Sequence, residues 1–205
     1  MKLTPSLSNY PIFPDWVFEG QLPIDNNIAN AVLSDVQTVR GSPNFIETSF
    51  GWCTDRSVRL GENILKLNKL IGSIFYETAA AHFRLTQQNK DIQVCESWLY
   101  GIKPTHSVPQ IVIPHRWYHA ILFLNSSANS SNLYLEMNNS KVYATPAGVQ
   151  NFHHTIESAQ HKIVFIPSHI PWGFSPNNSN ADSLVFCNSF IIKHHGPMPA
   201  IAFPS

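Results

Sequence analysis

The change in hydrophobic period near residue 90 is the feature that most limits how this chain can fold. From Glu62 to Phe83 apolar side chains recur every three or four residues, which predicts one amphipathic helix. Beyond residue 90 the period shortens to that of β-strands, and turn-rich stretches of Ser and Asn separate the apolar runs. The predicted strands are 92–102, 108–113, 118–124, 133–137, 141–144, 162–166 and 183–193.

The first part of the chain predicts a strand and two helices. Residues 16–19 have the composition of a short strand, and Asp25 is a suitable N-cap for a helix whose apolar face includes Ile28, Val32 and Val36. Residues 40–59 contain Gly, Ser, Pro and Asn, which predicts a loop.

Helices followed by many short strands predict an α+β fold, with a β-sandwich or jelly roll packed against the helices. We expect one domain over residues 1–205, with the strand and helices in 1–90 and the jelly-roll strands in 91–195. In residues 196–205 the prolines Pro197, Pro199 and Pro204 deny backbone donors to a sheet, which predicts an extended arm.

Charge is scarce, and this excludes several classes of protein. Only 13% of the 205 residues are charged, and 13 basic residues balance 13 acidic ones. An apolar content of 43% argues against disorder, and the absence of a basic cluster argues against nucleic-acid binding. A neutral surface instead favours association with other proteins.

Compartment signals are also few. The N-terminus lacks the features of a secretory signal, and no apolar run is long enough to cross a membrane, so we expect neither export nor a membrane partner. Cys53, Cys95 and Cys187 lie far apart, which predicts buried free thiols in a reducing, cytoplasmic compartment.

Common catalytic signatures are missing, and the histidines form no obvious metal site. The sequence contains no nucleophile elbow, phosphate loop, dinucleotide fingerprint or HExxH motif. His115 and His119 are four residues apart, but on a strand that spacing is about 13 Å, too far for one ion. Only a turn over residues 114–117 would bring them together.

Two segments carry a resemblance to a known family. Residues 96–99 (ESWL), followed by a strand turn with Pro and then by 121–124 (ILFL), form one of them, and residues 165–173 (FIPSHIPWG) form the other. Together with the closing strand 183–190, they resemble the 2-oxoglutarate and Fe(II)-dependent oxygenases of phages and marine bacteria. The resemblance implies a double-stranded β-helix, a cupin-like jelly roll, with the N-terminal helices packed on it.

The resemblance also implies where the chemistry of that family would lie. Its members hold iron on two histidines and a carboxylate, or a third histidine, and bind the co-substrate carboxylate through an arginine. Carried over, the first two ligand positions fall on Ile111 and Ile113, the distal histidine falls on Trp172 and the arginine falls on Ser183. Isoleucine has no lone pair and tryptophan offers only an N–H donor. We therefore expect vestigial positions, no catalytic residue, no bound metal and no cofactor.

The resulting hypothesis is a non-catalytic structural or adaptor protein. The family's abundance in phages and the neutral, aromatic composition favour a virion component, in the neck, tail or associated with the capsid. Its partners would be other protein subunits or further copies of the chain.

Two alternatives stay open. One is an active dioxygenase that uses Fe(II) and 2-oxoglutarate at a relocated site formed by His115, His119 and His169. The other is a glycan- or receptor-binding jelly roll, in which exposed Trp117, Tyr118 or Trp172 would stack on sugars.

Overall fold

The computed structural model describes residues 7–12, 15–24, 26–56, 61–83, 90–137 and 152–194, which form two helices and two antiparallel sheets. The helices are α1 (Asn26–Arg40) and α2 (Glu62–Phe83). The strands are β1 (Leu7–Ile12), β2 (Asp15–Gln21), β3 (Phe45–Thr48), β4 (Gly51–Thr54), β5 (Lys90–Ile102), β6 (Val108–Ile111), β7 (Tyr118–Asn125), β8 (Leu133–Met137), β9 (Phe152–Ile156), β10 (Lys162–Pro167), β11 (Trp172–Phe174) and β12 (Ser183–His194).

The strand order builds a large sheet facing a small one. The large sheet runs β1-β2-β10-β7-β12-β5-β4-β3, and the small sheet runs β6-β11-β8-β9. Sequence neighbours β5 and β6, and later β10 and β11, therefore lie in different sheets, so the chain alternates between the two layers. This arrangement fits the predicted jelly roll.

Alternating side chains of the large sheet divide the interior into two cores. On one face Leu99, Leu122 and Phe190 pack under the helices, in what we call the helix-side core. On the other face Trp98, Ile121 and Cys187 meet Trp172 and Leu135 of the small sheet, in what we call the inter-sheet core. A metal site at the positions implied by the resemblance would lie in the inter-sheet core.

Helix α2 carries the helix-side core and is capped by α1. Its buried face consists of Ile64, Leu67, Ile71, Ile74, Phe75 and Ala79, at the spacing of an amphipathic helix. At its N-terminus, Oδ2 of Asp35 accepts hydrogen bonds from the backbone N–H groups of Asn63 (2.9 Å) and Ile64 (3.2 Å). A residue of α1 thus performs the work of an N-cap.

Most predicted elements are confirmed, with two kinds of difference. The predicted helix over 62–83 is α2, and the strands predicted at 92–102, 118–124, 133–137, 162–166 and 183–193 are found with small shifts at their ends. The prediction of a loop over 40–59 is wrong, because β3 and β4 form an antiparallel hairpin there. Strands of three to six residues, β1, β9 and β11, are additional. The strand predicted at 108–113 ends earlier, at Ile111. The prediction that all three cysteines are buried is wrong, because Cys95 is exposed and Cys53 is partly exposed, whereas Cys187 is buried. Asp25, the strand predicted at 141–144 and the arm at 196–205 lie outside the described residues.

Neither helix in the described part of the chain is long and apolar enough to cross a membrane.

Candidate functional site

Three of the four positions implied by the resemblance lie on or near two adjacent strands of the small sheet. Trp172 on β11 is paired with Ile111 on β6 and with Leu135 on β8. Ile113 follows two residues after Ile111 and is buried. Ser183 opens β12 on the other sheet, opposite Ile102, and its buried hydroxyl has no hydrogen-bond partner.

Trp172 fills the inter-sheet core. Its side chain is 0% exposed, and its ring centroid lies 6.1 Å from that of His119, 6.4 Å from Tyr100 and 5.7 Å from Phe174. These separations are those of packed aromatic pairs. The space around the Trp172 ring is therefore occupied by protein side chains.

These residues do not fit a facial triad. Ile111 and Ile113 have no donor atom, and the indole nitrogen of Trp172 carries a hydrogen and offers no lone pair to a metal ion. The chain therefore offers no ligand set for Fe(II) at the three positions where the resemblance implies metal ligands.

The three histidines of the relocated site are not brought together as a ligand set. His119 is fully buried, whereas His115 and His169 are exposed. Throughout the described ranges, no three His, Cys, Asp or Glu side chains are placed to share a metal ion.

His119 is nevertheless the most unusual polar group of the inter-sheet core. It lies on β7, where it pairs with Ser189 on β12 and Ile166 on β10. Its Nδ1 is 2.9 Å from Oγ of Ser189. Burial lowers the pKa of His119 to about 4, while an interaction with the backbone of Ile113 acts in the opposite direction. The imidazole is neutral at pH 7.

The other nitrogen of this ring lacks a full hydrogen bond. Nε2 of His119 is buried and has no partner at hydrogen-bond distance, so the backbone of Ile113 contributes only a weak interaction. Nε1 of Trp172 is buried without a partner as well. A neutral imidazole at this position can offer one nitrogen to a small ligand, but a single nitrogen donor does not form a metal site.

An ion pair lies at the same end of the large sheet. Glu96 is paired with Ser189 in the sheet, and its carboxylate accepts hydrogen bonds from Nη2 (2.7 Å) and Nε (3.3 Å) of Arg116. Both side chains are partly buried, and the hydrogen bond with Glu96 raises the pKa of Arg116. Because Glu96 already engages the guanidinium, neither group is free for an incoming ligand.

Sequence reasoning did not place the His119–Ser189 pair, although a signal for it was present. Alternation along β7 puts Ile121 and Phe123 in the inter-sheet core, and His119 shares their parity. The same argument applied to β12 puts Ser189 with Cys187.

The aromatic rings proposed to stack on sugars are not exposed. Trp172 and Tyr118 are buried. Trp117 is partly buried and packs against Phe75 and Phe83, with ring centroids 5.4 Å apart in each pair. The expectation of an exposed aromatic platform at these three residues is wrong, because all three rings are used inside the protein.

Several solved structures are similar in fold to this chain. A prolyl-4-hydroxylase from Pseudomonas putida superposes with a TM-score of 0.59 at 11% identity, covering 85% of this chain and 91% of that chain. The non-heme alpha-ketoglutarate-dependent carbocyclase SnoK from nogalamycin biosynthesis has a TM-score of 0.65 at 9% identity, covering 85% and 78%. An oxidoreductase of the 2OG-Fe(II) oxygenase family from Burkholderia pseudomallei has a TM-score of 0.56 at 8% identity, covering 78% and 77%.

The structural neighbours are thus 2-oxoglutarate and Fe(II)-dependent oxygenases, and the chain shares their fold. No protein-family model and no curated protein sequence matches the chain.

The comparison corrects one expectation. The prediction that this protein has no cofactor is wrong, because neighbours with this fold are named for Fe(II) and alpha-ketoglutarate. Fe(II) and 2-oxoglutarate are the cofactors to which the architecture points, and the disagreement lies between this architecture and the side chains at Ile111, Ile113 and Trp172.

Proposed function

We propose that the protein is a non-catalytic protein with the oxygenase fold, which acts by binding other protein chains. One observation carries the proposal: the side chains at the implied ligand positions pack into the inter-sheet core, with Trp172 opposite Ile111 and fully buried. Residues that fill the space of a site in this way stabilise the fold and leave no place for a reacting group.

A second candidate is an active dioxygenase that depends on Fe(II) and 2-oxoglutarate. The fold comparison favours this candidate, and on architecture alone it is the stronger of the two. The neutral imidazole of His119 inside the core supplies one nitrogen donor toward it. Among the described residues His119 belongs to no group of three or more His, Cys, Asp or Glu side chains that could hold a metal ion, and for that reason we place this candidate second.

Turnover of 2-oxoglutarate separates the two candidates. The purified protein, loaded anaerobically with Fe(II), would be mixed with 2-oxoglutarate and oxygen, and succinate would be measured together with bound iron. The first candidate predicts succinate at the level of free Fe(II). Stoichiometric iron with catalytic succinate formation, lost in His119→Gln and kept in His106→Gln, would establish the second. His106 is the matched control because it is exposed and lies on the loop after β5.

The setting of a binding function stays a prediction from composition and resemblance. A place in a phage virion predicts that mass spectrometry of purified particles finds this chain at a fixed copy number. A self-associating adaptor instead predicts a mass in solution that is a multiple of the monomer, measured by light scattering.

A further inference from the structure

An open groove runs between α2 and the first part of β5, outside the inter-sheet core. It has a volume of about 600 Å³, and its apolar floor consists of Ile92, Val94 and Gly72. Its rim is polar, with Asn68, Lys69, Ser73, Tyr76, Glu77 and Gln93.

Strand β5 presents backbone hydrogen-bonding groups to this groove. On one side β5 pairs with β12 over its full length, from Lys90 to Ile102. On the other side its described pairing with β4 covers only residues 100–102, and Ser97 N–H donates to the carbonyl of Arg56. Within the described residues, Ile92 to Val94 therefore form an open sheet edge that can accept another strand.

Gly72 keeps the groove open. Glycine is unfavourable in the interior of a helix, yet Gly72 lies in the middle of α2. A Cβ atom at this position would contact Cγ2 of Val94 at 3.6 Å, so a methyl group would fit but a larger side chain would enter the groove. The absence of a side chain leaves room for one from an incoming strand.

The two ends of the groove carry opposite charges. Lys69 and Glu77 are exposed, and neither makes a salt bridge within the described part of the chain. They are eight residues apart on α2, which is a rise of about 12 Å. Four residues of an extended strand span about 13 Å and return the side chain to the same face.

We infer that this groove binds an extended polypeptide segment by adding it as a strand to the open edge of β5. The segment has an acidic side chain opposite Lys69, an apolar side chain two residues later over Gly72, and a basic side chain two residues after that, opposite Glu77. Gly72 lies near Val94, whereas Asn68 is hydrogen-bonded to Ser97, so α2 runs antiparallel to β5. A bound segment whose acidic residue precedes its basic residue in sequence therefore runs antiparallel to β5, which is the more favourable strand pairing.

Two matched peptides test the inference. The first is acetyl-Ser-Glu-Thr-Val-Thr-Lys-Ser-amide with a fluorescent label, and the second exchanges its Glu and Lys. Fluorescence polarisation should show saturable binding of the first peptide and about tenfold weaker binding of the second, as two surface ion pairs allow. Hydrogen exchange should show protection of the amides of residues 92–94 on binding.

Variants then assign the effect to the groove. The double variant Lys69→Glu with Glu77→Lys should reverse the preference between the two peptides, and Gly72→Leu should weaken both by more than tenfold. Lys103→Glu, an exposed charge reversal beyond the end of β5, should change nothing. Gly72→Ala serves as the milder variant if Gly72→Leu loses its circular dichroism spectrum, and it should weaken binding less.

Equal affinity for both peptides, no saturable binding of either, or an unchanged preference in the charge-swapped variant would overturn the inference. This inference deepens the proposed binding function by naming a site and a partner. Its test uses no iron or 2-oxoglutarate. A failure of peptide binding therefore does not change the conclusion of the turnover experiment, and catalytic turnover does not contradict peptide binding in the groove.

Discussion

Trp172 lies directly opposite Ile111 across the β11–β6 pair, and its ring also packs against His119 from the facing sheet. Two strand positions that the family resemblance assigns to metal ligands are thus direct neighbours, and both hold apolar or aromatic side chains. Truncation of this ring is the most direct probe of the filled core.

Trp172→Ala should lower the free energy of unfolding by about 3–5 kcal/mol, because it removes a fully buried indole and leaves a cavity between the sheets. Urea denaturation followed by far-UV circular dichroism measures the change. Val112→Ala, at an exposed apolar residue close by, should cost less than about 0.5 kcal/mol. Equal stability of Trp172→Ala and the parent would contradict a core role for the ring.

The buried imidazole predicts a specific pH dependence of stability. The folded pKa of His119 is about 4, against an ordinary value of 6.5, so between these pH values the unfolded state binds a proton that the folded state excludes. Above pH 6.5 His119 does not reduce the free energy of unfolding. As the pH falls from 6.5 toward 4, protonation of His119 in the unfolded state lowers the free energy of unfolding by about 3 kcal/mol.

The comparison of parent and His119→Gln isolates this effect, because other titrating groups cancel in the difference. The free energy of unfolding of the parent should fall more steeply between pH 7 and pH 4.5 than that of the variant. Parallel profiles would show that His119 is not held neutral by burial.

The capping contact between the two helices gives a further stability prediction. Asp35→Ala removes the acceptor for the N–H groups of Asn63 and Ile64, and it should cost about 1–2 kcal/mol. Asp35→Asn keeps an acceptor oxygen and should cost less. Glu47→Ala on β3 is the exposed acidic control and should be neutral within about 0.5 kcal/mol, with all variants compared by thermal and urea unfolding. An Asp35→Ala protein as stable as the parent would exclude a capping role.

The elements that sequence could predict are those with a long, regular pattern. The amphipathic period of α2 continues over 22 residues without interruption, so both of its ends were predictable. The hairpin of β3 and β4 has four residues in each strand and lies among Gly, Ser and Pro, so local pattern could not separate it from a loop. Its pairing depends on β5, more than 40 residues away, which stabilises β4 through Tyr100 to Ile102.

The candidate site was predictable in part for a similar reason. Alternation along β7 is enough to place His119 inside the protein, but its hydrogen bond to Ser189 joins residues 70 positions apart. Likewise the groove beside β5 arises because the β4–β5 pairing stops at Tyr100. The extent of that pairing depends on tertiary structure and cannot be predicted from the local sequence pattern.

Rebuilding a ligand set tests whether Ile111, Ile113 and Trp172 correspond to the ligand positions of the oxygenases. Residues paired across adjacent antiparallel strands have Cβ atoms about 5 Å apart, close enough for two imidazoles to reach one ion. The triple variant Ile111→His, Ile113→Asp and Trp172→His should therefore bind Co(II) at least about 100-fold more tightly than the parent, with visible d–d absorption bands. Ile111→His with Trp172→His alone should bind less tightly, because it lacks the carboxylate.

Circular dichroism at low temperature checks that each variant is folded despite the loss of the indole. A folded triple variant with the metal affinity of the parent would mean that Ile111, Ile113 and Trp172 do not converge on a common point, and the correspondence with the oxygenase ligand positions would have to be abandoned.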